Sequence, residues 1–503
     1  MLVFVMAPGF QYRPERGISS CILRVEEHVE PSPVVGWRRV QQSGMRKSIF
    51  LAGFAATVLT AQNMPPDGEK QLAHDIYKQF VEIKSAFTTG ATTPVAEAAA
   101  ARLRAAGFPE ADIFLGGASP AKGNLVVRYR GSGTRRPLLL LAHTDVVEAK
   151  REDWSTDPFQ FIEREGYFYG RGTEDDKAQA AVWIANLIRY KHEGFRPDRD
   201  IIVALTADEE GGGPYNGVQW LLKNHRDKID AEFALNEGGE GEISHGRKVA
   251  NDVQVSEKFV MDFRLEVRNK GGHSSLPVAD NAIYHLAGAL DRLAKFGFPL
   301  KTNAVTAAYF AAMSKIEGGT VKDDLALVAQ GNQAAMQRVA AASTSWNATL
   351  RTTCVATMLE GGHALNALPQ LAAANVNCRV LPDDSPEYVE STLRKIVADD
   401  QVKISQVHEV FNAPASPMRD DVLKTVSRLT DTMWPGVITV PTMVRGATDG
   451  KYLRAAGIPA YGVQGFFFDR DDMRMHGRDE RMGVTAFYEG QTFLYELVKS
   501  LAK

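Results

Sequence analysis

A chain of 503 residues is too long for one ordinary core and is expected to fold as two or more domains. Hydrophobic residues make up 44% and charged residues 24%, the balance of a soluble globular protein. A formal net charge of −3 excludes a basic surface built for nucleic acid or anionic membrane.

Residues 1–44 lack helical or strand periodicity. At Met45 a different segment opens, with Met45-Arg-Lys-Ser, an apolar run from Ile49 to Thr60, and then Ala61-Gln62. A basic start, about a dozen apolar residues and a small residue at the exit describe a secretory signal peptide. A membrane-spanning helix needs ~20 apolar residues, more than this run offers. Residues 45–61 are therefore read as a signal for export to the periplasm or beyond, and 1–44 as an upstream extension. Cys21, Cys354 and Cys378 cannot form a disulfide framework, and none sits in a CxxC pair. A Cys354–Cys378 bridge is open in an oxidising compartment, but free thiols are the expectation.

Leu72, Ile76, Phe80 and Ile83 recur at helical spacing between Gly68 and Lys84, and Pro94 in a first turn opens a second helix to Ala106. Asn124 to Arg130 reads as a strand, and the apolar run Pro137 to Ala142 as a buried one. A helix from Lys177 to His192, a buried strand from Ile201 to Thr206 and a shorter strand from Glu232 to Leu235 follow. Strands alternating with helices predict an α/β domain with a mostly parallel sheet covered on both faces. Between about Val253 and Asn412 the pattern changes. Lys258 to Val267 alternates apolar and polar, a helix spans Asn281 to Phe296, and an Ala-rich helical region reaches Ala342. Leu371 to Val380, Pro386 to Ala398 and Val402 to Val410 then read as strand, helix and strand. This predicts an inserted α+β domain, ferredoxin-like, at 257–412, with the α/β domain made of 66–256 and 413–503.

Three of the predicted buried strands run into metal-ligand residue types: His143-Thr144-Asp145, Asp208-Glu209-Glu210 and Asn236-Glu237. Open parallel sheets bind ligands at the carboxyl ends of their strands, so these groups converge on one sheet edge. Two further clusters are Glu174-Asp175-Asp176-Lys177 in a Gly-rich turn, and Met475-His476-Gly-Arg-Asp-Glu480-Arg481 near the C-terminus. Imidazole together with carboxylate suits zinc better than calcium or magnesium. One carboxylate can bridge two ions ~3.5–4 Å apart, so a handful of ligand residues suffices for a two-metal site. In the Glu209-Glu210 pair, neighbouring side chains point apart, which lets one hold metal while the other faces a water as base. Each cluster alone has an ordinary alternative: a core histidine at His143, a solvated turn at Glu209-Glu210, an N-cap at Asp175-Asp176, and a surface ion-pair network at His476.

In this order, LLLLAHTDVV, GRGTEDDK, TADEEGG, LNEGG and HGRDER resemble the M20 family of di-zinc peptidases and aminoacylases. GGHSSLP, from Gly271 to Pro277, resembles its branch of yeast carboxypeptidase S and the N-acyl-amino-acid hydrolases. The resemblance spans roughly residues 66–500 and implies that 257–412 is a lid and dimerisation domain. It implies one zinc on His143, Asp175 and Glu237 and another on Glu210, Asp175 and His476, with cobalt or manganese as substitutes. Glu209 would be the general base, Asp145 would orient His143, and the Asp175–Asp176 bond would be cis. His273 would stabilise the oxyanion, in some relatives from the partner subunit. Asn366 and Arg379 would grip the substrate, and Asp449 would lie in a substrate-facing loop. Two departures stand out. Ala178 occupies a usual glycine position where a helix starts, and Asn236-Glu237 stands where some relatives carry Asp-Glu, which favours Glu237 as ligand.

The implied activity is hydrolysis of a peptide or N-acyl bond beside a free carboxylate, as by a carboxypeptidase or dipeptidase. A small-metabolite deacylase and a non-catalytic metal- or peptide-binding relative are the alternatives. A homodimer through the lid is in keeping with the family, whereas nucleic acid and stable membrane insertion are not expected. The stretch from Ala304 to Thr349 exceeds a minimal lid, and either an acyl pocket or a block to dimerisation would account for it.

Overall fold

The computed structural model describes residues 63–503, so the expectations for 1–44 and 45–61 lie outside the described residues. The strand Leu138–His143 sits in the middle of a ten-stranded sheet, parallel to Ile201–Thr206 on one side and Phe233–Asn236 on the other. Ala460–Gly462 continues in the same sense beyond Phe233–Asn236, and antiparallel pairs flank this parallel centre. Leu138 and Leu140 enter one core with Trp183 and Phe487, while Leu139 and Leu141 enter a second with Val218, Leu221 and Leu453. A strand buried on both faces has no wet side to alternate toward, which explains its unbroken apolar run. The helices Asp67–Glu82, Thr93–Ala105, Lys177–His192 and Val484–Leu501 supply the first core, and Gly217–Asn224 and Gly450–Ala455 the second. No described helix is long and apolar enough to cross a membrane.

After Glu257 the chain enters a four-stranded antiparallel sheet, ordered Thr353–Gly361, Leu371–Val380, Phe259–Arg268, Lys403–Gln406. The last of these is shorter than its predicted span because pairing to Phe259–Arg268 stops at Gln406. Along Phe259–Arg268 buried and part-buried residues alternate. The buried set joins Leu286, Leu293, Val389 and Leu393 of the helices Ala282–Lys295 and Pro386–Val397 in a separate core. The Ala-rich region forms four helices, Ala304–Ile316, Gly319–Ala329, Gln333–Ala342 and Thr344–Leu350, around Phe310, Leu325, Met336 and Val339. This insert leans on the larger sheet, where Ala312 meets Val440 of the strand Ile438–Val444.

The free-thiol expectation is corrected. Cys354 and Cys378 are direct cross-strand partners and form a disulfide across a separation of 24 residues. Antiparallel register brings the two sulfurs together, and sequence spacing does not reveal register. Replacing both cysteines by serine is expected to lower stability toward denaturant by about 3 kcal/mol, the loop-closure value for such a separation. Equal unfolding midpoints and slopes for the two proteins would exclude the bridge.

Candidate metal centre

His143 ends its strand in register with Thr206, and Glu237 follows directly on Phe233–Asn236. Glu209 and Glu210 lie just past Thr206, after a turn in which Asp208 takes a φ of +62°. Asp175 precedes the helix Lys177–His192, whose N-cap is Asp176, and the Asp175–Asp176 bond is cis. His476 arrives from the far C-terminal loop with a φ of +61°.

His143 Nε2 stands 2.8 Å from Asp175 Oδ1 and 3.8 Å from Glu237 Oε2. On the other side, His476 Nε2 is 3.0 Å from Asp175 Oδ2 and 3.0 Å from Glu210 Oε1. The candidate ligand atoms form two trios, His143–Asp175–Glu237 and Asp175–Glu210–His476, each with its atoms within 4.8 Å of one another. Asp175 belongs to both through its two oxygens. Glu237, not the buried Asn236, supplies the carboxylate after the third strand.

Burial opposes charge on His143, yet Asp175 and Glu237 outweigh it and carry the imidazole well above its ordinary pKa. The hydrogen bond to Asp175, with the Glu210 carboxylate 3.0 Å away, pushes His476 up to about 10. Burial lifts Glu209 and Glu237 well above the usual carboxylate range. Asp175 resists the same burial because His143 and His476 hold it below that range. Glu210 Oε1 is buried without a hydrogen-bond partner among the described residues, its 3.0 Å approach to His476 lacking hydrogen-bond geometry. Converging imidazole and carboxylate donors with an unsatisfied buried oxygen fit divalent cations.

The Asp145 carboxylate accepts the backbone N–H groups of Glu209 at 3.1 Å and Glu210 at 3.0 Å. His143 Nδ1 instead meets the Asp145 carbonyl at 2.9 Å, with the nearest carboxylate oxygen 3.7 Å away. The role expected of Asp145 is thus divided: its carbonyl orients the imidazole, and its carboxylate fixes the turn carrying Glu209 and Glu210. Lys122 clamps the same turn through an ion pair to Asp208 at 2.6 Å. Glu480, quoted in its motif but given no role, accepts the N–H groups of Gly172, Glu174 and Asp175 at 3.1, 2.7 and 3.3 Å. Its other oxygen pairs with Arg171 at 2.5 Å, so the segment bearing His476 is tied to the loop bearing Asp175. Only the proximity of an acid to His476 in the chain could have hinted at this.

A cavity of about 770 Å³ opens onto Asp175, Glu209, Glu210, Glu237 and His476. His273, Asn366 and Arg379 are not among its lining residues. His273 is exposed on the short strand Gly272–His273, paired with Ala367–Leu368, its Nδ1 2.7 Å from Ser275 Oγ. Asn366 lies beside it and accepts the Ser274 N–H on its carbonyl. Arg379, on Leu371–Val380 of the four-stranded sheet, donates through Nε to Asn377 Oδ1 at 3.3 Å. These three belong to the four-stranded sheet and the two-stranded ribbon, outside the cavity. Gly446, Ala447 and Thr448 of the loop that carries Asp449 line the cavity, while Asp449 itself is 1% exposed and accepts from Asn216 Nδ2 at 2.6 Å and Thr206 Oγ1 at 3.2 Å, bracing the strand end. Arg445, which drew no attention in the sequence, does line the cavity.

The human N-fatty-acyl-amino acid synthase/hydrolase PM20D1 is 29% identical over 373 residues, covering 73% of this chain and 74% of the human protein. The probable carboxypeptidase S-like 2 of Dictyostelium discoideum is 28% identical over 411 residues, covering 79% of this chain and 78% of that protein. The M20 family metallo-carboxypeptidase Sso-CP2 from Sulfolobus solfataricus shares the fold, with a TM-score of 0.65 at 16% identity over 86% of this chain and 99% of that one. The family model described as Peptidase family M20/M25/M40 matches residues 139–500, from the strand that ends in His143 to well past His476. Because that match takes in both ligand trios and most of the chain, the protein is a hydrolase that belongs to peptidase family M20/M25/M40.

Proposed function

We propose that the protein cleaves the amide bond of a small N-acyl amino acid or peptide beside the free carboxylate of its terminal residue. Carrying this reading is Asp175, which offers one oxygen to His143 and the other to His476 in the cavity that Glu209 lines. Two zinc ions, favoured by the mixed donor set, would be held by His143, Asp175 and Glu237 and by Asp175, Glu210 and His476, and would supply Lewis acidity and a water acidified toward neutral pH.

Glu209 is the base of this scheme. Its backbone N–H is spent on Asp145, which fixes where its carboxylate stands. That carboxylate takes the proton of the attacking water and returns it to the leaving amine. The imidazole of His273 donates to the oxyanion, and Asn366 and Arg379 hold the substrate carboxylate, a planar group that a guanidinium matches with two parallel hydrogen bonds.

Delivery of His273 by a partner subunit is part of the same proposal, with 257–412 acting as lid and dimer surface. The ribbon bearing His273 and Asn366 also exposes Leu276 and Leu365, and the edge strand Thr353–Gly361 exposes Val355, Met358 and Leu359. An apolar edge strand left in water invites pairing with another chain, and a second copy would cover it. Export, proposed from the pattern at 45–61, agrees with the Cys354–Cys378 bridge, since disulfides persist in oxidising compartments.

Glu209→Gln is expected to lower kcat by about a thousandfold while two zinc equivalents per chain remain by elemental analysis. Near-normal turnover in that variant would remove the proposed base. Mixing inactive His273→Ala with inactive Glu209→Gln protein, after reversible dissociation, is expected to restore about a quarter of wild-type activity, because half the dimers then hold one complete site of two. If the mixture stays as inactive as its parts, His273 does not act across a dimer.

A further inference from the structure

Where the chain leaves the larger sheet for the antiparallel one, it carries two charged residues in succession, Glu257 and Lys258, and both are buried. Neither belongs to the candidate trios, and neither lines the cavity. Glu257 ends the strand Arg247–Glu257, in register with Val444 of the parallel strand Ile438–Val444. Directly after Val444 the chain makes the loop Arg445 to Thr448, and all four of its residues do line the cavity. Taking a carboxylate out of water is unfavourable unless donors replace the water, so the donors around Glu257 identify what its burial holds in place.

Its Oε2 accepts three hydrogen bonds, from Gln254 Nε2 at 2.9 Å, the Thr448 N–H at 3.0 Å and Thr448 Oγ1 at 2.9 Å. Its Oε1 faces Arg454 Nη2 at 3.0 Å, an ion pair without hydrogen-bond geometry. Thr448 Oγ1 also accepts the Gly450 N–H at 3.1 Å, so one hydroxyl ties the loop to Glu257 and to the helix Gly450–Ala455. Lys258 holds the start of the same loop. Its N–H donates to the Val444 carbonyl at 2.9 Å, and its ammonium to the carbonyls of Ala348 and Arg351 at 2.8 and 2.7 Å. Behind the trios, a Cβ at Gly238, where φ is +94°, would come within 2.8 Å of Gln254 Oε1 and 3.4 Å of Thr448 Cγ2. The turn after Glu237 therefore rests on two residues that Glu257 bonds.

We infer that Glu257 is a positioning residue, whose carboxylate clamps Thr448 and thereby sets where the loop Arg445 to Thr448 stands in the cavity wall. Two of its three hydrogen bonds come from Thr448, more than pairing with Arg454 requires, so its contribution runs through the loop as well as through charge. Releasing the loop changes the surface a substrate meets and leaves the candidate ligands in place, which weakens substrate binding more than turnover. What the loop meets rests on the amide-hydrolase proposal; the clamp does not.

Two double variants separate this clamp from a purely structural ion pair. Arg454→Met with Glu257→Gln removes both charges but keeps an oxygen for Thr448, whereas Arg454→Met with Glu257→Met removes both charges and the oxygen. Circular dichroism checks that both fold. Hydrogen exchange at the Thr448 N–H is expected to stay near the wild-type rate in the Gln variant and to quicken about tenfold or more in the Met variant. With zinc-loaded enzyme, KM for N-acetyl-phenylalanine and Ala-Phe is expected to be about tenfold higher in the Met variant than in the Gln variant, with kcat within about twofold. Two zinc equivalents per chain are expected in both. Equal exchange and equal KM in the two variants overturn the inference, and so does faster exchange with KM unchanged, which confines Glu257 to the fold. If the wild-type enzyme turns over neither substrate, the hydrolase proposal falls, and the exchange comparison decides the clamp alone.

Discussion

The two-sided engagement of Asp175 is the constraint on which the rest of the structure depends. One carboxylate must face His143 and His476 at once, with Glu210 and Glu237 close by. Gathering several acids in a low-dielectric pocket is unfavourable unless each finds opposite charge or donors. The fold answers by turning backbone N–H groups toward the acids that are not ligands. Asp145 accepts two of them, from Glu209 and Glu210, and Glu480 accepts three, from Gly172, Glu174 and Asp175. Each of these acids thereby fixes a loop that carries candidate ligands, so the same hydrogen bonds that make burial tolerable also aim the side chains of the two trios.

Such aiming requires fixed strand ends, and the larger sheet supplies them. A one-residue slip of Leu138–His143 would exchange the residues sent to its two cores and turn His143 to the opposite face. Both faces of that strand are closed by separate apolar clusters, so neither can absorb a slip. Parallel pairing then brings the ends of three neighbouring strands to a common edge, where residues far apart in the chain become neighbours.

Legibility in the sequence follows from this arrangement. PLLLLA and IIVALT announce themselves as doubly buried strands, and the acid or histidine that ends each has few roles other than chemistry at a sheet edge. His143, Glu209, Glu210 and Glu237 are legible as candidates for that reason, whereas Asp175 and His476 lie on loops and join them through the family resemblance, which divides the candidates between two metals. What stayed hidden depends on side-chain direction and non-local register. Asp449 follows a Gly-Ala-Thr turn that suggests exposure, but Asn216 and Thr206, more than 200 residues earlier, draw it inward. The cysteine pair depends on the register of Thr353–Gly361 against Leu371–Val380, which a bulge between Ala356 and Met358 shifts partway along. Arg379 stands on the antiparallel sheet, whose separate core decides its place, and His273 and Asn366 stand on or beside a two-stranded ribbon of their own.

That separation has a consequence for how the molecule divides its work. His143 and Glu237 of the candidate trios sit at strand ends whose register is locked by two cores, and the loops that carry Asp175 and His476 are tied together through Glu480. The elements outside that centre have independent packing, the insert around Phe310 and Met336 and the antiparallel sheet around Phe263 and Val376. A substitution at Met313 or Leu359 changes what the molecule meets without touching the contacts that hold Asp175. The candidate metal centre, the insert and the antiparallel sheet thus pack around separate cores within one chain, so a change on one need not disturb the contacts of another.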